Sequence, residues 1–403
     1  MANLLDGIKV IDWTQAHHGA ATGYMLGDLG ADVIKVEDPD GDIARTWRSI
    51  MGVSLELPGG RNVLFEGANR NKRSMTVNLK TPEGKELFKK MVARADVLIT
   101  NHRRAVRQNL ELDYSNLAPE NPRLIYAVAS GYGEKGPSSD ERSFDNVAFA
   151  WSGMMHLLGE EDNPPLYMTP GAADQLGATM LVQAVTGALY WRERTGEGQQ
   201  VEASLLGALV HMNAMPFNIY LMSGRLPKRP TRTKVFNPLV GWYPCADGQW
   251  IMFSINRPQE SWHDFCDVLG LGDEVESSPD FGSTRSRAEH CEELIDIIDK
   301  ATATKTRDEW LALCRVRGLI CAPVNSVQDI PLDPQIAANG FVFDYDHEVF
   351  GETKTIGFPV SYGKLNPEVR SGAPELGQHT EEILLDAGYT WEDIESLRDH
   401  GAI

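Results

Sequence analysis

Asp174 stands in Pro170-Gly171-Ala172-Ala173-Asp174-Gln175-Leu176-Gly177, a turn of small residues that opens an apolar stretch running to Arg194. Two kinds of chemistry suit a carboxylate there. It can cap the coming helix, which is the ordinary use of an aspartate at such a point. It can also be a nucleophile, its charge held by the helix N-terminus and its approach kept clear by small neighbours. The local residues favour the cap and do not decide the matter. Two other constellations carry less. Glu37 closes a strand where an acid can bind a ribose hydroxyl, yet the preceding turn, Thr14 to Gly23, is not Gly-x-Gly-x-x-Gly, so a nicotinamide dehydrogenase lacks its tight-turn glycines. No Gly-x-Ser-x-Gly elbow occurs, which sets a serine hydrolase aside.

Charge points to a ligand. The chain has a net charge of −19, which excludes nucleic acid as a general partner. Between Glu66 and Leu110, however, eleven cations face four anions. A basic segment in an acidic chain is a candidate site for a small polyanion. Lys85, Lys89 and Lys90 read as a solvated helix face. Arg70-Asn71-Lys72-Arg73 and Asn101-His102-Arg103-Arg104 flank short strands, where cations can grip phosphate. The five cysteines form an odd set, with no Cys-x-x-Cys, and read as reduced core thiols. The histidines offer no His-x-x-x-His pair, so no metal is expected.

These residues need elements to hold them. Ile8–Trp13 and Asp32–Glu37 are apolar, β-branched runs, separated by the helical pattern Gly19–Ala31, which makes a βαβ unit. A second unit has a strand at Met75–Leu79, a helix opened by Thr81-Pro82-Glu83, and a strand at Asp96–Thr100. Leu124–Ala129 is a further strand, followed by the turn Ser130-Gly131-Tyr132-Gly133. Gln175–Arg194 and Leu205–Phe217 read as helices, with a strand at Gln200–Ala203 between them. The pattern predicts a doubly wound, Rossmann-like α/β domain over residues 1–225. After a basic, proline-rich stretch near Arg225–Arg232, residues 226–324 read as a smaller α/β domain, with strands at Val240–Tyr243 and Trp250–Ser254. Residues 325–403 form a C-terminal segment. No run approaches the roughly 18 apolar residues of a membrane helix, and the first residues lack a signal-peptide pattern. A cytosolic protein is expected.

A series of short segments, in order along nearly the whole chain, resembles the class III CoA-transferases. They are Leu5–Asp12, Gly27–Glu37, Asn69–Ser74, Lys80–Gly84, Ala95–Leu98, Gly131-Tyr132-Gly133, Thr195–Gln199, Asp333-Pro334-Gln335 and Gly388-Tyr389 to Ile403. The resemblance implies an enzyme that moves CoA between two carboxylic acids, with Asp174 as the nucleophile. It implies a CoA thioester as substrate, no permanent cofactor, and a homodimer of two interlocked rings. Lys72, Arg73, Asn101, His102 and Arg104 are then the expected CoA contacts. His17, His18, Gly19, Gly131, Tyr132 and Gly133 are expected around the acyl group, the glycine N–H groups serving the oxyanion.

The chain departs from formyl-CoA transferase at several points. His17 stands where that enzyme has glutamine, His18 where it has alanine, and Asp38 where it has arginine. Its glycine-rich closing loop is missing here. An acid larger than formate or oxalate is expected. The resemblance leaves two other readings. An α-methylacyl-CoA racemase needs a histidine base where this chain has Phe144, in Arg142-Ser143-Phe144-Asp145. A non-catalytic CoA-binding relative would have kept the fold and lost turnover.

Overall fold

The computed structural model describes residues 3–229 and 231–403, so Met1, Ala2 and Pro230 of the basic stretch lie outside the described residues. Six parallel strands form one sheet: β1 (Lys9–Trp13), β2 (Asp32–Glu37), β3 (Lys72–Thr76), β4 (Val97–Thr100), β5 (Ile125–Ser130) and β6 (Gln199–Ser204). Their order is β6-β5-β4-β1-β2-β3. The order reverses between β1 and β4, and the crevice beyond the carboxyl ends of those two strands is where open α/β sheets bind ligands.

Alternate residues feed two cores, as the pleat requires. Ile11, Trp13, Leu98, Tyr126 and Val128 pack on one face with Leu87 and Phe88 of α2 (Pro82–Val92). Val10, Ile99, Ile125 and Ala127 pack on the other with Leu26 of α1 (His18–Asp28) and Leu181 of α4 (Ala172–Thr195). The helix α3 (Asp145–Trp151) lies between them in sequence. All eleven residues of α1 are buried. Its glycines make this possible: a Cβ on Gly23 would sit 2.6 Å from the Asp12 carboxylate.

The expected α/β sheet is present, with β3 displaced. It begins at Lys72 rather than Met75, and Lys72 pairs with Val33. The two cations therefore belong to a strand. Lys72 tolerates burial because its ammonium donates to Asp12 at 2.7 Å, to Asn69 at 2.8 Å and to the Ala20 and Ala68 carbonyls. The expected single helix after β6 is two, α5 (Leu205–Met212) and α6 (Ala214–Ser223). Pro216 explains the break, since proline is accommodated in a helix's first turn and not in its interior.

The chain divides into two compact units. The first comprises residues up to Met155, Tyr167–Leu226 and Ala337–Ile403. The second comprises Pro227–Ile336 together with His156–Leu166, a segment that the sequence reading left with the large domain. In the second unit, strands β7 (Val240–Pro244), β8 (Trp250–Ser254) and β9 (Cys321–Val324) form an antiparallel sheet. Its core gathers Phe253, Phe265, Ile298 and Trp310, with Cys266 and Cys314 buried as free thiols. In the first unit, the C-terminal segment adds the hairpin β10 (Val342–His347) and β11 (Gly351–Ile356). No single helix among the described residues is long and apolar enough to cross a membrane.

Candidate active site

Helix α4 starts from Gly171, which has φ 82° and so takes a conformation that glycine alone adopts freely. Asp174 is the third helical residue and not the cap. The first-turn N–H groups that a cap would accept find another partner: those of Ala173 and Asp174 donate to Asp145 Oδ1 at 2.7 and 3.1 Å. Asp145 opens α3, is 8% exposed, and accepts the Tyr167 hydroxyl on its other oxygen. The capping reading of Asp174 therefore fails. So does the idea that the helix N-terminus holds its charge, because Asp145 occupies that position. Among the described residues no donor reaches the Asp174 carboxylate. Burial first, and the Asp145 charge second, push it up to about 7.

The turn after β1 approaches this corner without glycines at its bend, and side chains hold it instead. Thr14 donates to Asp12 at 2.5 Å, and Lys35 donates to the Thr14 carbonyl and to Asp42, both at 2.7 Å. Asp42 accepts the Ala16 N–H at 2.9 Å, and Ala16 has φ 58°. Asn101 grips Gln15 twice, accepting its N–H at 2.9 Å and donating to its carbonyl at 2.6 Å. His17 follows. Its Nε2 lies 3.3 Å from Gln175 Oε1, and Gln175 donates to the Tyr24 hydroxyl at 2.7 Å. The turn thus delivers His17 to the residue beside Asp174, and burial lowers its pKa.

Several expected site residues serve structure. His18 is buried, pushed down to about 4 by desolvation, and packed where a Cβ on Gly177 would lie 2.6 Å from its Nε2. It fills the α1–α4 contact. Gly19 is needed because a Cβ would lie 2.5 Å from Thr14 Cγ2. Gly131 is needed because a Cβ would lie 2.3 Å from that of Ser143. Gly133 has φ 104°, but its N–H donates to Ser130 at 3.2 Å and is not free for an oxyanion. Tyr132 packs in a tilted contact against Trp151, the last residue of α3, with ring centroids 4.6 Å apart.

The cations divide in the same way. Lys72 is sealed inside the sheet and leaves the set of phosphate contacts. Arg73 lies at the amino-terminal edge, away from the crevice, and pairs with Asp32, Glu382 and Asp386. Asn101 has its amide committed to Gln15. His102 and Arg104 remain at the carboxyl-end side. His102 packs in a tilted contact on Trp13 at 4.4 Å and lines a cavity of about 330 Å³ with Gln15, Asp38, Lys80 and Val106. Arg104 donates to the Glu134 carbonyl and stays partly exposed, while Arg107, another cation of the basic segment, is buried and pairs with the Glu134 carboxylate at 2.7 Å. Glu37 is taken by Arg45 at 2.8 Å and by Ser74 at 2.9 Å and is not left to hold a ribose. No group of three or more His, Cys, Asp or Glu among the described residues could hold a metal ion.

The chain is similar to known CoA-transferases over nearly its whole length. An "Acyl-CoA transferase" of Fusarium pseudograminearum is 34% identical, over 99% of this chain and 88% of its own length. The "(R)-2-hydroxy-4-methylpentanoate CoA-transferase" of Clostridioides difficile is 30% identical, over 98% of both chains. The crystal structure of a CaiB/BaiF family protein from Brucella suis superposes with a TM-score of 0.86 at 31% identity, covering 96% of this chain and all of the other. Residues 5–380 match the model of CoA-transferase family III, and the chain belongs to that family.

Proposed function

We propose that this CoA-transferase exchanges CoA between an acyl-CoA and a free carboxylic acid through covalent intermediates on Asp174. The observation that carries the reading is the state of that carboxylate: half-buried, without a donor, and beside a second carboxylate that has taken the helix N-terminus. It is a base with a nearly neutral pKa and nothing to satisfy it except an electrophile. An Asp174 oxygen attacks the thioester carbonyl; the C–S bond breaks and CoA leaves as thiolate. The thiolate attacks the Asp174 carbonyl carbon of the resulting anhydride and expels the first acid as its carboxylate, leaving an aspartyl thioester. The second acid reverses these steps and carries CoA away.

His17 and Tyr132, on the turns that follow β1 and β5, are the side chains proposed to border the acyl portion. His102 and Arg104 are proposed to meet CoA. An acid larger than formate or oxalate fits the absence of the glycine-rich closing loop, and the 2-hydroxy acid in the Clostridioides relative's name supports the same direction. The racemase reading is disfavoured because Phe144 supplies no base; it is 58% exposed and only precedes α3. The proposed assembly is an interlocked homodimer, which size-exclusion chromatography with light scattering would test as a dimer.

The test of the central reading is trapping. Incubation with acyl-CoA and hydroxylamine should convert Asp174 to its hydroxamate, found by mass spectrometry in the peptide that contains it. An unmodified Asp174 in an enzyme that still exchanges CoA would remove the proposal.

A further inference from the structure

The two carboxylates at the start of α4 have opposite environments. Asp145 receives three donors: the Ala173 and Asp174 N–H groups and the Tyr167 hydroxyl. Asp174 receives none, and no cation offsets it. The titratable groups that interact with it are Asp145 from α3 and Tyr167 from the segment before α4; His17 and His18 from the start of α1 meet its helix neighbours Gln175 and Gly177. Desolvation keeps both histidines neutral, and Tyr167 holds its proton, which it donates to Asp145. The electrostatic benefit of the helix N-terminus is spent on the carboxylate that does not react.

We infer that Asp145 is a positioning residue whose charge keeps the free Asp174 carboxylate poorly stabilised, so that acylation of Asp174 is favoured. The inference rests on Asp174 as nucleophile. In the first step Asp174 passes from a carboxylate to a neutral acyl anhydride, and its negative charge departs on the CoA sulfur. In the second it passes to a neutral thioester, and the charge departs on the released acid. Each covalent state lacks the repulsion that the free enzyme carries. Asp145 also fixes the first turn of α4 through two hydrogen bonds, so the group that raises the nucleophile's energy sets its direction as well.

Asp145→Asn separates these two tasks. Its amide oxygen can still accept both N–H groups, while the charge is gone. The activity of the wild type should rise with pH through a midpoint set by Asp174, because the carboxylate form attacks. In Asp145→Asn that midpoint should move down by about one unit or more. The kcat at pH 8 should fall roughly tenfold, with the KM for acyl-CoA changed less than about threefold. Tyr167→Phe leaves the Asp145 charge less shared, and should move the midpoint the other way. A purely structural cap predicts lost activity with an unmoved midpoint in both variants, and that result would overturn the inference. Should Asp145→Asn fail to fold, an unmoved midpoint in Tyr167→Phe overturns it alone. Hydroxylamine trapping in the wild type keeps the two proposals apart. A hydroxamate on Asp174 with unmoved midpoints discards only the role of Asp145, while no hydroxamate discards both.

Discussion

The two edges of the parallel sheet treat charge differently. At the amino-terminal edge Arg70 and Arg73 are both matched by acids. Arg70 donates to both oxygens of Asp28, at 3.1 and 2.6 Å, Asn71 donates to the same carboxylate at 2.7 Å, and Arg73 meets three acids. At the carboxyl-terminal edge, groups are left unmatched: Asp174 has no donor, and His17 Nδ1 is buried without a partner. One edge is built to stay as it is. The other holds groups in states that water would not allow, which is where ligand chemistry can relieve them.

The largest way to break the contrast is at Asp174. Asp174→Asn should lower kcat/KM by about a thousandfold or more, since the acyl group loses its covalent station. The same variant should be more stable. The folded pKa is raised to about 7 from 3.8. The wild-type folded state therefore carries the penalty of the free charge in full above pH 7 and loses it as pH falls from about 7 toward 4. Asp174→Asn should thus gain on the order of 1–2 kcal/mol at pH 8, allowing for partial exposure, and nothing near pH 4. Denaturant melts at the two pH values measure it; a loss of stability at pH 8 would contradict the reading.

The matched edge should respond the other way. Asp28→Asn leaves Arg70 buried beside a neutral group and should cost about 3 kcal/mol in chemical denaturation. The kcat of the folded fraction should change less than about threefold. A specific loss of kcat would show that the two edges are coupled.

The smallest effects sharpen the comparison among exposed cations. Arg104→Ala should raise the KM for acyl-CoA about tenfold and leave that of the free acid unchanged, as expected for one lost charge-assisted phosphate contact. Arg73→Ala should leave both constants within about twofold and only lower the melting temperature. Steady-state kinetics on the two variants tests the division directly; equal effects would dissolve it.

The elements were legible where local chemistry decides them. Thr81-Pro82-Glu83 announced α2, and Thr81 does cap it, accepting the Gly84 N–H at 3.0 Å. The start of β3 was hidden because a sheet covered on both faces shows no alternation, and Lys72 looks like a loop residue until Asp12 is placed beneath it. The break before α6 carries a local sign, Pro216, inside a run whose apolar character reads as one helix. At the site, the small neighbours of Asp174 left cap and nucleophile both open, and only the family resemblance singled it out as the nucleophile. Asp145, 29 residues before Asp174 and joined to it only through tertiary structure, carried no local sign beyond opening a short apolar stretch. His18 misled because a histidine packed on a glycine and one facing a ligand are the same letter.

The turn after β1 bears on how such an enzyme can change its diet. Its path is imposed from outside, by Asn101, Asp42 and Lys35 acting on the backbone of residues 14–16. The side chains of Gln15 and His17 do not hold that path. Mutation at those two positions can therefore try new partners for the acid while the scaffold stays intact, and a lineage can drift from one substrate to another without passing through unfolded ancestors.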